Sequence, residues 1–172
     1  IKTMAQDPVI YSSNLQTGLT LNAPLLQNPK IQEGVVLISA ATTLNATDHA
    51  NRLMVFNAAA GATITLPAAT GTGNRYRFAV GVTATSNQHR VNVTGDDAFY
   101  GVIHVAQDGG DTSIAFEAGS DADQINMNGS TQGGIKGDYI EVVDILADSW
   151  LAVGWTQATG TEATPFVTGQ IA

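Results

Sequence analysis

ATITLPAATGTGNRYRFAVGVTATSNQHRVNVT, residues 62–94, is the stretch of this chain that decides the fold. It contains three predicted strands, 62–66, 75–82 and 89–94, separated by segments of glycine, proline and small polar residues. In the middle run, a period of two places Tyr76, Phe78, Val80 and Val82 on one face and Arg75, Arg77 and Ala79 on the other. This alternation predicts a half-buried antiparallel sheet with one apolar face against the core and one solvent-exposed face.

Similar short runs recur along the rest of the chain, with turn residues such as Asp108-Gly109-Gly110 between them. Their number and spacing predict an all-β domain, built as an antiparallel β-sandwich or a barrel. A single helical turn fits within residues 43–51, and Gly154 indicates a bulge or a close backbone approach. The ten predicted strands are Val35–Ala40, Arg52–Asn57, Ala62–Leu66, Arg75–Val82, His89–Thr94, Ala98–Val105, Thr112–Glu117, Gln124–Asn128, Tyr139–Asp144 and Trp150–Trp155.

The ends of the chain differ from its middle. Residues 1–32 hold three of the five prolines and show little periodicity, which predicts an extended N-terminal arm before a sandwich domain at 33–155. Residues 156–172 are predicted to form an extended C-terminal segment. The arm packs on its own domain, on a neighbouring subunit or on a lattice; alternatively, it folds on its own core. Its apolar anchors are Val9, Ile10, Tyr11, Leu15, Leu19, Leu21, Leu25 and Leu26, which, with Pro165 and Phe166 of the C-terminal segment, are the predicted capsid or subunit contacts.

Composition excludes several classes of function. The net charge is −8 and the seven Lys and Arg residues are dispersed, so no nucleic-acid partner is expected. No apolar run approaches the ~20 residues of a membrane span, and the first residues lack the apolar stretch of a signal peptide. The chain has no cysteine, which excludes disulfides and thiolate metal sites.

No group of residues predicts a reaction. The three histidines, His49, His89 and His104, lack metal-binding spacing, and no G-x-S-x-G elbow is present. The best local oxygen set for a cation is Asp121, Asp123, Asn126 and Asn128, but these residues are also ordinary in turns. We therefore expect no enzyme, no cofactor and no metal site. Trp150 and Trp155 fall on opposite faces of one strand, which predicts one core residue and one contact residue.

The stretch Ile64–Phe78, followed by Val80-Gly81 and Thr85–Asn87, resembles tailed-bacteriophage virion proteins known as head decoration or capsid cement proteins. The resemblance covers about residues 52–166 and omits the N-terminal arm. Its motifs consist of turns and strand faces, and none of them names a reaction. It continues through Asp96–Gly101, Asn126–Gly134, Lys136–Glu141, Trp150 and Gly160–Phe166.

This resemblance implies a β-sandwich of jelly-roll or β-tulip type on the outer surface of the capsid in the virion. It implies that the major capsid protein is the partner, that the chain forms a homotrimer, and that it stabilises contacts between capsomers. Two alternatives stay open. One is a phage head-fibre, tail or receptor-binding module, and the other is a carbohydrate-binding β-sandwich module, for which exposed aromatic residues are expected.

Overall fold

A computed structural model of the protein describes residues 34–110 and 112–169. The eight apolar anchors predicted in the arm lie outside the described residues. About half of the described residues are in strands, so the all-β prediction is confirmed. The strands are β1 (Val35–Ile38), β2 (Thr42–Thr43), β3 (Leu53–Phe56), β4 (Thr63–Thr65), β5 (Arg75–Val80), β6 (His89–Asn92), β7 (Ala98–Gln107), β8 (Ser113–Glu117), β9 (Ala122–Met127), β10 (Tyr139–Leu146), β11 (Ser149–Ala158) and β12 (Phe166–Thr168).

All ten predicted strands are present, and two short strands, β2 and β12, were not predicted. The predicted helical turn is α1 (Ala46–His49). It begins at Asn45, whose side chain accepts a hydrogen bond from the backbone N–H of Asp48 and so satisfies a donor of the first turn.

The strand pairing differs from the prediction. The consecutive strands β4, β5 and β6 do not form hairpins with one another: β5 lies between β3 and β10, and β4 lies between β2 and β6. Five of the eleven strand pairs in the described part of the chain are parallel, so the predicted antiparallel sheet is in fact mixed. Alternation of apolar and polar residues reports which face is buried, but it is the same for both strand directions.

The sheet forms a nearly closed, barrel-like layer with the order β1-β3-β5-β10-β11-β7-β9-β6-β4-β2. The weakest junction is between β7 and β9, which share the single pair Phe99–Ala122. The inward faces of the strands on both sides of this junction contribute to one hydrophobic core. The predicted inward residues Tyr76, Phe78 and Val80 are buried in it, whereas Val82 lies beyond the end of β5 and is only half-buried.

The sheet also continues past residue 155, the predicted end of the domain. Strand β11 runs to Ala158, and β12 pairs with β9. Phe166 is 6% exposed and belongs to the core, and Pro165 is buried, while its carbonyl accepts the backbone N–H of Asn126. Both residues therefore stabilise this domain, and their predicted role as external contacts is wrong.

Gly154 has the close backbone approach that its position in β11 predicted. A Cβ added at this glycine would lie 2.5 Å from Cγ2 of Ile140 and 2.8 Å from the carbonyl oxygen of Tyr139 on the neighbouring strand. The register between β10 and β11 is regular at this point, so the alternative of a bulge is wrong.

Candidate interaction surface

The outward-facing side chains of β1, β3, β5, β10, β11, β7 and β8 form a continuous surface, which we call the outer face. The strand register arranges these residues in rows, and three of the rows cross the sheet from β5 to β7. The first row is Val35, Leu53, Arg77, Glu141, Val153, Val102 and Glu117; the second is Leu37, Val55, Ala79, Tyr139, Trp155, His104 and Ala115; the third is Arg75, Val143, Leu151 and Tyr100.

Large apolar side chains are unusually exposed on the outer face. Trp155 is 65% exposed, Leu37 62%, Val35 54% and Tyr100 44%. Exposed apolar residues that occur singly need no explanation, but a contiguous patch of them is typical of an interaction surface. The outer face is therefore the principal candidate for the functional surface of this domain.

The two tryptophans of β11 have different environments, as their opposite faces predicted. Trp150 is fully buried, packs edge-on against Tyr76 and donates its indole N–H to Asp97. Trp155 projects outward and its ring lies nearly parallel to that of His104 on β7, with the centroids 6.4 Å apart. The prediction of one core tryptophan is confirmed, and the contact role of the other stays a prediction.

The charged groups of the outer face balance one another. Arg75 forms an ion pair with Glu141 at 2.7 Å, and the hydroxyl of Tyr139 donates to the same carboxylate. Burial raises the pKa of the Tyr139 phenol, and the hydrogen bond to Glu141 adds to this rise. Arg77 donates to the backbone carbonyl of Asn51. The outer face thus combines an apolar surface with local charge neutrality, in a chain whose net charge is −8.

The outward face of β4, β6 and β9 has a different character. Its cross-strand rows pair Thr63 with Arg90, and Asn92 with Gln124. The side-chain amide of Gln124 donates to that of Asn92 at 2.8 Å. Polar side chains cover this part of the sheet, whereas four of the seven exposed large apolar residues in the described part of the chain lie on the outer face.

Loops beside the sheet are fixed by buried aspartates, which sequence reasoning missed. Asp144, at the inward side of β10, accepts the backbone N–H groups of Thr70, Gly71 and Thr72 and the hydroxyl of Thr72. Burial acts to raise the pKa of the Asp144 carboxyl, but these hydrogen bonds outweigh it, so the pKa lies below its usual value.

Asp97 and Asp138 have comparable structural roles. Asp97 accepts the backbone N–H of Ala69 and the indole N–H of Trp150. Asp138 accepts the backbone N–H groups of Gly134 and Ile135, and the side-chain amide of Gln157. Burial raises the pKa of Asp138, and these hydrogen bonds oppose that rise without cancelling it. These carboxylates bind loop backbone and are not directed at a common point.

The histidines are dispersed. His89 is buried, stacks on Phe56 with centroids 4.5 Å apart, and has Nε2 3.0 Å from the carbonyl oxygen of Val82. Its strand, β6, is separated in the sheet from β7, which carries His104, by β9. Across 34–110 and 112–169, no three His, Asp or Glu side chains form a group that could hold a metal ion.

The oxygen set considered for a cation does not converge. Asp123 and Asn126 lie on opposite faces of β9, as their spacing requires. Asn128 Oδ1 accepts the backbone N–H groups of Ser130, Thr131 and Gln132 and so closes a turn. A nearby cleft of about 380 Å³ is acidic and is lined by Asp96, Asp97, Asp121, Asp123 and Asp148 among other residues.

Comparison of this chain with protein-family models, curated proteins and solved structures found no match. Within the described residues, no helix is long and apolar enough to cross a bilayer.

Proposed function

We propose that this protein is a decoration or cement protein that binds the outside of a bacteriophage head and stabilises contacts between capsomers. The observation that carries the proposal is the outer face, a broad apolar and locally neutral surface on strands that keep one register through its three rows. Such a surface suits binding to another protein. The sequence resemblance supplies the partner, the major capsid protein, and the location, the outer surface of the virion.

We also propose a sandwich for the finer architecture. The segment β1-β3-β5-β10-β11-β7 and the segment β9-β6-β4-β2 meet at one residue pair only, Phe99–Ala122. Phe56 of the first segment stacks on His89 of the second, which supports face-to-face packing of two layers. The parallel pairs favour a strand order other than the all-antiparallel jelly roll.

The test uses viral heads that lack this protein. Adding the tagged protein should give saturable density on the outer surface of the heads in electron micrographs, and heads with bound protein should resist heating or chelation better than bare heads. Density at the tail, or no saturable binding to heads, would contradict the proposal and favour the tail or head-fibre alternative.

A second experiment tests the predicted N-terminal contact. Removal of residues 1–26 deletes all eight predicted apolar anchors and leaves the described domain complete. We expect the truncated chain to lose binding to heads while its circular dichroism spectrum stays that of a β protein. Saturation of heads by the truncated chain would show that the arm is not required.

The exposed Trp155 favours one further candidate, a carbohydrate-binding module. An indole that is 65% exposed beside a nearly parallel imidazole offers an apolar surface to the CH groups of a sugar ring. A glycan array separates this candidate from the first: selective glycan binding that Trp155→Thr abolishes would support it, and no glycan signal would leave the decoration role preferred.

A further inference from the structure

We propose that the outer face pairs with the same face of a second copy of this chain, about a two-fold axis that runs along β11. The proposal goes beyond the decoration role and does not depend on it, because it concerns the isolated chain. It rests on three properties of the outer face: its exposed apolar residues, its balanced charge, and the order of its rows.

Charge favours the outer face as the meeting surface of two copies. Each chain has a net charge of −8, so two copies repel one another over most orientations. The outer face carries Arg75 and Arg77 against Glu141 and Glu117, which gives no net formal charge. The acidic cleft, by contrast, would place several carboxylates of the two copies against each other.

The order of the strands makes the centre of the face self-complementary. Strand β11 is flanked by β10 and then β5 on one side, and by β7 and then β8 on the other. A two-fold axis along β11 therefore places β10 over β7 of the second copy, and β5 over its β8. Trp155 then meets the partner's Trp155, and Tyr139 meets the partner's His104.

The third row agrees with the same axis. Leu151 meets the partner's Leu151, and Val143 meets the partner's Tyr100, so apolar groups oppose apolar groups. In the first row Val153 meets its equivalent. Glu141 is the one charge near the centre, and its bonds with Arg75 and Tyr139 within the same chain keep it paired when water is excluded.

The same axis pairs opposite charges at the rim. Arg77 on β5 faces the partner's Glu117 on β8, and the symmetry generates this contact twice. These residues lie two strands from the axis, about 10 Å away. A sheet that curves into a barrel leaves a widening gap at this distance, and arginine and glutamate are long enough to reach into it.

The size of the contact predicts a weak pair. Five strands and three rows cover roughly 20 Å by 15 Å, or about 300 Å² for each copy, whereas stable dimers bury about 800 Å² per partner. We therefore expect dissociation at micromolar or higher concentration.

Sedimentation of the purified full chain from micromolar to millimolar concentration tests the pairing directly. The mass should rise from one chain towards two, and tryptophan emission should shift to the blue with the same midpoint. Because Trp150 is already buried, the shift reports Trp155. A mass that stays at one chain, or that rises to three chains as the trimer expectation requires, would overturn the two-fold pair.

Trp155→Thr should weaken the pairing by about thirtyfold or more, as expected for a large aromatic residue that lies on the two-fold axis. Leu146→Thr is the matched control, since Leu146 is equally exposed, at 66%, but lies at the turn between β10 and β11 beyond the third row. Equal loss in both variants, or no loss in Trp155→Thr, would contradict the proposal. Loss of binding to heads in Trp155→Thr while the wild-type chain stays monomeric would show that the face binds the capsid and not a second copy.

Charge exchange tests the register. Glu117→Arg should weaken the pairing by about tenfold, because it places two arginines together at each rim contact. Combining it with Arg77→Glu should restore most of the affinity. Arg77 also binds the carbonyl of Asn51, so the melting temperature of each variant is measured beside its affinity. Undiminished pairing of the Glu117→Arg variant, which changes an exposed side chain, would by itself refute the register.

Discussion

The side chain of Asp144 fixes the loop of residues 67–73 to the sheet, and its replacement by asparagine should destabilise the fold strongly. Asp144 is 3% exposed, and its two oxygens accept four hydrogen bonds. Oδ1 accepts the N–H groups of Thr70 and Gly71 at 2.9 and 2.6 Å, and Oδ2 accepts the N–H and hydroxyl of Thr72 at 3.0 and 2.6 Å.

The size of the loss in unfolding free energy follows from the hydrogen-bond donors that Asp144 satisfies. In the Asp144→Asn variant, the amide oxygen can still accept the N–H groups of Thr70 and Gly71, but without the charge that strengthens both bonds. The amide nitrogen then faces Thr72, whose hydroxyl can turn to accept while its backbone N–H loses an acceptor. One unsatisfied N–H costs ~1–3 kcal/mol, and weakening two charge-assisted bonds costs about 1 kcal/mol each. We expect a total loss of about 3–5 kcal/mol of unfolding free energy.

Urea unfolding followed by the fluorescence of the buried Trp150 measures this loss. Asp148→Asn is the control: it removes the same charge from an exposed residue of the β10–β11 turn, where a φ of 57° suits asparagine. We expect the control to change stability by less than about 0.5 kcal/mol. If both variants lose equally little unfolding free energy, the loop is not held by the Asp144 carboxylate.

The pH dependence supplies an independent check. The pKa of Asp144 is lowered in the folded protein, so its stabilisation is complete above the unfolded value of about 4 and is lost as the pH falls through the folded value. The difference in unfolding free energy between the wild type and Asp144→Asn should therefore shrink below about pH 4. A difference that is constant across this range would refute the assignment.

Three further predictions concern buried groups. The pKa of Asp138 is raised, so the folded state favours its protonated form and stability declines as the pH rises from about 4 through the folded value; Asp138→Asn should abolish this part of the decline in urea titrations. At Gly101, φ is 123° and an added Cβ would lie 2.1 Å from the carbonyl oxygen of Ala152. Gly101→Ala should therefore lower the free energy of unfolding by more than about 3 kcal/mol. Gly95→Ala, whose Cβ would lie in open space, should lower it by about 1 kcal/mol, and thermal unfolding measures both. Burial lowers the pKa of His89, so its NMR ring signals should stay those of neutral imidazole at pH values somewhat below 6.5. Protonation of the ring at or above pH 6.5 as the pH is lowered would contradict its buried position.

Local sequence pattern was sufficient to locate ten of the twelve strands in the described part of the chain but not to pair them. The run Arg75–Val80 alternates so regularly that its buried face is fixed before any partner is known. Its neighbours β3 and β10 come from residues 53–56 and 139–146, far apart in the chain. The segments between β4, β5 and β6 contain ordinary hairpin residues, yet they connect strands that pair elsewhere. The choice of partner depends on the packing of the whole core, which no local pattern contains.

The buried aspartates could have been found from the sequence, because they interrupt an apolar pattern. In Tyr139–Leu146, a period of two places Asp144 on the same face as Ile140 and Val142, which are core residues. A carboxylate on a core face must be hydrogen-bonded, so its position predicts that it binds a loop. The identity of that loop, residues 67–73, required the structure, because the two segments are about 70 residues apart in the chain.

Parity predicted that one of Trp150 and Trp155 faces away from the core, and the structure shows that it is Trp155 and what surrounds it. Within the described residues, the inward side chains and the buried aspartates hold the strands in register, and the same register sets the rows of the outer face. Residues so held lose little conformational entropy when they dock, which reduces the cost of association. A face of modest area can then form ordered contacts wherever copies are concentrated. It follows that a core substitution such as Gly101→Ala, if it shifts β7 relative to β11, should weaken pairing through Trp155 even though it alters no residue of the outer face.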